Sequence, residues 1–300
     1  HLVKLLHYYA QTHCPFPICI GDSSEGPHLE KTKKALSLLE GRLKIIYREY
    51  PRLNDSQCIR ELIRSVQTPY AVFVADDDFL ISQGLEPCVR FLEKNPDYSA
   101  AHGLAVIYNL AARNGGNQIR EVGKYRQPQL EEATAQERLL AHMRHYSVTL
   151  FSVHRREDWQ KMYAAIELLK DKSFTEILPA CLSAIKGKIK ELNCFYLVRQ
   201  NHEGRYLLPD YYDWVTHPDW FSSYCVFRDC VAKELAQKDN IRLDQAQQIV
   251  KQAFWSYLAR GMSWEFNAKY AHGGNGIREK TKRLLKRIPL FKDHLLPTFR

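Results

Sequence analysis

Tyr70-Ala71-Val72-Phe73-Val74-Ala75-Asp76-Asp77-Asp78 joins six apolar residues directly to three consecutive carboxylates. An apolar run of this length, with β-branched and aromatic members, reads as a buried parallel strand. Its carboxylates then fall at the strand's C-terminal end, the edge of an open α/β sheet where ligands bind. Crowded carboxylates repel one another unless a hard cation sits among them. Mg²⁺ or Mn²⁺ accepts such oxygen ligands and keeps positions for phosphate, so a metal–diphosphate site is the simplest reading. The competing reading is an acidic loop or a helix N-terminus.

Working outward, short apolar runs alternate with longer helical patterns over the first 200 residues. The order is helix (1–12), strand (17–21), helix (28–40), strand (42–47), helix (54–67), strand (70–75) and helix (82–95). Further strand candidates lie at 100–108, 149–153 and 194–199. This alternation predicts a mostly parallel sheet covered on both faces. After residue 205 an aromatic-rich stretch (Tyr206 to Phe221) leads into helical patterns near 221–237 and 243–270, with no strand between them. The chain therefore divides into an α/β domain (1–205), a helical appendage (206–271) and a basic tail (272–300).

Composition narrows the function classes. At 300 residues and 45% hydrophobic the chain can bury a substantial core. No stretch approaches a membrane span, and the N-terminus lacks the order of a signal peptide. The eight cysteines include no C-x-x-C pair, which fits free thiols in a reduced, cytoplasmic compartment better than disulfides or zinc. Net charge is +9, but Arg278, Lys280, Lys282, Arg283, Lys286, Arg287, Lys292 and Arg300 against Glu279 and Asp293 place +6 of it in the tail. That distribution disfavours a nucleic-acid binder. Residues 278–292 read either as a basic amphipathic helix suited to peripheral contact with an anionic membrane or as a solvated terminal helix.

A second apolar run, Ile18-Cys19-Ile20-Gly21, ends in Asp22-Ser23-Ser24 and brings another carboxylate to the same sheet edge. Turn formation explains it about as well. Together the two motifs resemble the family-2-type glycosyltransferases of GT-A fold, which have a strand ending in Asp-x-Ser and a later strand ending in a DxD-like motif. The resemblance implies a nucleotide-diphosphate-sugar donor, Mn²⁺ or Mg²⁺ as cofactor, and a glycan or lipid-linked acceptor. It places Asp22 at the nucleoside, Asp76 at ribose or metal, and Asp78 as leading metal ligand, with Ser23 and Asp77 as further donor-binding residues.

Thr175-Glu176 through Gly187 resembles the family's acidic residue, helix and glycine segment. By that likeness Glu176 is the general base that takes the acceptor hydroxyl's proton, with Asp171 as runner-up; a first-turn helical carboxylate is the structural alternative. The following segment ends in Arg199-Gln200-Asn201-His202. His202 is a candidate metal ligand, and Arg199 could instead face the diphosphate. Ser147 to Arg155 resembles the element backing the sugar pocket, and the aromatic cluster reads either as a stacking face for an acceptor or as an apolar seam.

The implied reaction is a single displacement with inversion. A nucleotidyltransferase would need a Gly-rich basic loop after the first strand, which the sequence lacks; a non-catalytic binder in polysaccharide assembly is the other alternative. The family's first, central strand also has no counterpart ahead of residues 1–12. A gap between strands 17–21 and 70–75, or their direct re-pairing, is therefore expected, together with a natural N-terminal extension.

Overall fold

The structure is a computed structural model that describes residues 1–113, 116–202 and 209–270. Helix α1 (Leu2–Gln11) buries Leu5, Leu6, Tyr9 and Ala10 on one face. Strand β1 (Ile18–Asp22), helix α2 (Pro27–Leu38) and strand β2 (Ile45–Glu49) follow. β1 and β2 pair in parallel, from Ile18 opposite Ile45 to Asp22 opposite Glu49. Leu6, Ala10, Ile20 and Leu39 form the core beneath them. Helix α3 (Asp55–Ser65) starts in a capping box: Asn54 accepts the Gln57 N–H, and the Gln57 side chain accepts the Asn54 N–H.

The second sheet begins with short strands β3 (Tyr70–Ala71) and β4 (Phe79–Leu80), followed by helix α4 (Ser82–Lys94). Long strands β5 (Tyr98–Arg113) and β6 (Gly116–Tyr125) precede helix α5 (Ala135–Arg144), strand β7 (Val153–Arg155) and helix α6 (Arg156–Ala164). Helix α7 (Lys172–Lys186) runs into strand β8 (Lys188–Asn201). The order is β3-β7-β5-β8-β4, with β6 paired to β5. β5 and β8 form a long parallel ladder from Tyr98/Lys188 to Asn109/Asn201. The α/β class holds, but the sheet is mixed rather than mostly parallel, since the β3–β7, β4–β8, β5–β6 and β5–β7 ladders are antiparallel.

Part of that difference lies in the expected gap. β1 and β2 form a sheet of their own, and residues 1–16 supply α1 and a loop, not a strand. Among the described residues no ladder joins β1 to the Tyr70–Ala75 run. Only Tyr70 and Ala71 are paired, and Val72 to Ala75 remain half-buried despite being apolar. They face a cavity instead of a neighbouring strand.

The C-terminal helices are α8 (Tyr211–Val215), α9 (Trp220–Asp239) and α10 (Leu243–Lys269). They share one apolar core with α7: Phe174, Ile177 and Cys181 pack with Phe227, Val231, Val250 and Phe254. Trp214 and Trp220 stand 5.0 and 6.2 Å from the Phe174 ring, so much of the aromatic cluster is an apolar seam. All eight cysteines are free. No helix among the described residues is long and apolar enough to cross a membrane; the segment 278–292 lies outside those residues.

Candidate active site

Asp22, Ser23, Asp76, Asp77, Glu176, Arg199 and His202 line one continuous cavity of about 2790 Å³. Ordinary small-molecule sites occupy roughly 300–1,000 Å³, so this space exceeds the needs of one small ligand. Part of it is the gap between β1 and the Val72–Ala75 run, and part runs toward α7 and α10.

At one end of the cavity, β1 delivers Asp22, 6% exposed, to the wall. Its Oδ1 accepts the Ser24 N–H at 2.8 Å, and its Oδ2 accepts the Tyr47 hydroxyl at 3.0 Å. Burial works to raise this carboxyl's pKa, but hydrogen bonds from Ser24, Tyr47 and Thr32 outweigh it and hold the group below its usual value. Asp22 is thus a fixed carboxylate. A carboxylate has about four acceptor positions, and Ser24, through backbone and side chain, Tyr47 and Thr32 engage them, so a ligand donor would have to replace one of these bonds. Tyr47, on β2, was not singled out by the sequence because nothing in its local pattern reveals the register that sets it against Asp22.

The three consecutive aspartates separate into different environments. Asp76 is held above its usual pKa first by desolvation and then by neighbouring Asp77, against the lowering effect of the Leu2 backbone N–H. Asp77 meets His202, with Oδ2 and Nε2 2.8 Å apart, and the His202 ring stacks on His1 at 4.9 Å. Asp78 turns the other way. It is fully buried and forms an ion pair with Arg199, Nε to Oδ2 at 2.7 Å. The Arg199 guanidinium lies 4.7 Å from the Tyr125 ring centre and 4.4 Å from that of Phe151. Asp78 is not among the cavity-lining residues, so the expectation of a leading metal ligand here meets a structural ion pair instead. Arg199, expected at the diphosphate, spends its Nε on that pair. The chain turns here, with the Asp78 N–H donating to the Ala75 carbonyl at 3.1 Å, so Asp76 and Asp77 occupy the turn beside the cavity while Asp78 is carried past it into the core.

On the far wall, helix α7 carries half-buried Glu176, whose Oε1 accepts the Tyr146 hydroxyl at 3.2 Å. Asp171 is the N-cap of α7, accepting the N–H groups of Ser173 and Phe174, and it also accepts the Trp214 indole N–H at 3.0 Å. It does not line the cavity. The structure therefore brings Glu176 to the cleft and leaves its runner-up holding the helix that carries it. Tyr146 is a further contact that the sequence did not reveal, because it sits in the loop between α5 and β7 without periodic context.

Neither a protein-family model nor a curated protein sequence matches the chain. Solved structures do. The crystal structure of S. aureus TarS 1–349 in complex with UDP-GlcNAc aligns with TM-score 0.54 at 15% identity, covering 90% of this chain and 72% of that one. TarS 1–349 alone gives TM-score 0.56 at 13% identity, covering 95% and 74%. A longer TarS chain gives 0.55 at 14%, covering 90% of this chain but 43% of its own. TarS is a GT-A-type family-2 glycosyltransferase, and the likeness establishes that this chain shares the GT-A-type fold.

Proposed function

We propose that this chain transfers a sugar from a nucleotide diphosphate to an acceptor hydroxyl. The observation that carries the reading is one cavity, in a GT-A-type fold, lined by Asp22, the Asp76–Asp77 pair and Glu176 together. The complexes of TarS with UDP-GlcNAc and with UDP make a uridine diphosphate sugar the first donor to test.

In this account Asp22 accepts hydrogen bonds from the nucleoside, with Ser23 beside it, and Asp76 meets the ribose or the diphosphate. The donor set of Asp77 and His202 fits one Mn²⁺ or Mg²⁺. Their 2.8 Å separation is close to the roughly 3 Å between neighbouring ligand atoms of an octahedral site with bonds of about 2.1 Å. Among the described residues no group of three His, Cys, Asp or Glu forms a complete cage. A cation at Asp77 and His202 would therefore have to complete its coordination with substrate phosphates and water. Bound there, such a cation would stabilise negative charge on the departing diphosphate.

Glu176 takes the proton of the acceptor hydroxyl as its oxygen attacks the anomeric carbon, and the Tyr146 hydroxyl fixes the rotamer of that carboxylate. Attack from the side opposite the diphosphate inverts the anomeric centre. The buried Asp78–Arg199 pair keeps the Asp76–Asp77 turn in place beneath the donor and touches no reacting atom. Thermal-shift measurements with a panel of nucleotide sugars, in Mn²⁺ and in EDTA, test the reading. A shift of several degrees with at least one nucleotide diphosphate sugar, smaller in EDTA, is expected; no shift with any member would refute it.

A further inference from the structure

Helix α10 is apolar on two sides. Val250, Ala253, Phe254, Tyr257 and Leu258 pack into the core. At about 100° per residue, Trp255, Ala259, Met262, Phe266 and Tyr270 fall within about 80° of one another on the opposite side of the same helix. Trp255, Phe266 and Tyr270 are 58%, 59% and 70% exposed, Ala259 is exposed and Met262 half-buried, and the Phe266 and Tyr270 rings stand 5.8 Å apart along the stripe. Single apolar residues are normal on a surface, but a contiguous stripe marks a place where something packs. A helix with two apolar sides needs two partners. The described residues supply one of them.

The sequence that follows α10 repeats the pattern. Ala271-His272-Gly273-Gly274-Asn275-Gly276 carries three glycines, and its length suits a connection between antiparallel helices. Ile277, Thr281, Leu284 and Ile288 then recur at steps of four, three and four, with Leu285 beside Leu284. Trp255, Ala259, Met262 and Phe266 have the same steps. Lys282, Arg283 and Lys286 fall on the other side of the helical pattern, and Pro289 ends it. In helical geometry Ile277 to Ile288 spans about 17 Å, as does Tyr270 back to Ala259. Residues 271–300 lie outside the described residues.

We propose that residues 277–288 dock antiparallel along the outer stripe of α10 and close a helical hairpin. In that register Ile277 meets Tyr270, Leu284 and Leu285 meet Phe266 and Met262, and Ile288 meets Ala259, while the basic side chains stay in water. Each stripe removes the other from solvent. The short connection also holds the segment at an effective concentration in the mM range, on the order of a thousand times that of a second copy at micromolar concentration, so the chain's own tail takes the stripe first. The inference stands apart from the sugar-transfer reading, since none of the five stripe residues lines the cleft.

Hydrogen–deuterium exchange of the full chain, with its mass in solution followed by light scattering, tests the proposal. In the monomer the amides of 278–288 should exchange at least about tenfold more slowly than those of an unstructured peptide of the same sequence. Met262→Lys/Phe266→Lys, which places charge on the stripe, should return them to within about threefold of the unstructured rate. Leu284→Asp/Ile288→Asp, which alters only the tail, should do the same. Asn267→Lys, exposed but off the stripe, should leave the protection in place, and unchanged exchange at Ala253 to Leu258 shows that the core of each variant is intact. The proposal is overturned if 278–288 exchanges as an unstructured chain in the wild type, or if its protection survives Met262→Lys/Phe266→Lys. Protection that appears only in a dimer would give the stripe to a second copy, and protection that appears only with vesicles of phosphatidylglycerol and phosphatidylcholine would give it to a bilayer; either result overturns the proposal too.

Discussion

Replacing Arg199 by Met removes the cation from a carboxylate that has no exposure to water. Asp78 is 0% exposed and the Arg199 side chain 9%, with 2.7 Å between Nε and Oδ2, so solvent screens the pair little. Breaking a buried ion pair from one side costs about 3–5 kcal/mol, because the remaining charge is left uncompensated. Loss of the guanidinium from its place against Tyr125 and Phe151 falls within that figure. For a chain of this size each kcal/mol moves the melting temperature by about 2–4 °C, so Arg199→Met should melt roughly 6–20 °C below the wild type. Removing both charges, in Asp78→Leu/Arg199→Met, should recover much of the loss, since an apolar pair of similar volume is often neutral or better. Calorimetric melts of the two single variants and the double variant provide the cycle. Single variants melting within about 2 °C of the wild type would refute the assignment of Asp78 and Arg199 as a buried structural pair and return Asp78 to the metal.

Glu176→Gln should leave donor affinity intact and slow transfer by about 10²-fold or more, the usual scale for a lost general base; turnover near the wild-type rate would move the role elsewhere. Asp76 has a raised pKa in the fold, so its ionised form opposes folding above that pKa. Asp76→Asn should therefore raise the melting temperature of the ligand-free protein at pH 8, with a gain that shrinks as pH falls toward the carboxylate range, and should weaken donor binding; a lower melting temperature at pH 8 would contradict this. His142 and His154 are buried with pKa values lowered to about 4 by desolvation. Their unfolded forms bind protons below about pH 6.5 while the folded forms do not, so stability should fall as pH drops from about 6.5 to 4. The His142 ring nitrogens have no hydrogen-bond partner among the described residues, so His142→Leu should flatten that decline, as read from melts across the range.

The sequence announced the sheet-edge carboxylates because strands and acidic turns are local signals. Ile18–Asp22 and Ser82–Lys94 fall within a residue or so of their expected bounds. Long-range relations were not legible. Nothing in Asp76-Asp77-Asp78 tells which carboxylate faces inward, since that depends on Arg199 arriving 121 residues later. Antiparallel β7 and the β5–β6 hairpin escaped a reading tuned to alternating strands and helices. The gap beside β1 was legible by a different route, from a strand that the resemblance required and residues 1–16 did not supply. On α10, Gly261 looks like an ordinary helix residue until the Tyr211 ring is set against it.

A crystal structure of the protein with UDP-GlcNAc and Mn²⁺ tests the central claim most directly, because it locates the donor relative to every residue assigned to it. The account predicts the nucleoside against Asp22, the diphosphate at Asp76 and Asp77 with the cation shared between Asp77 and His202, and the anomeric carbon on the side facing Glu176. A donor bound outside this cleft, or within it with the anomeric carbon turned away from Glu176, would contradict it.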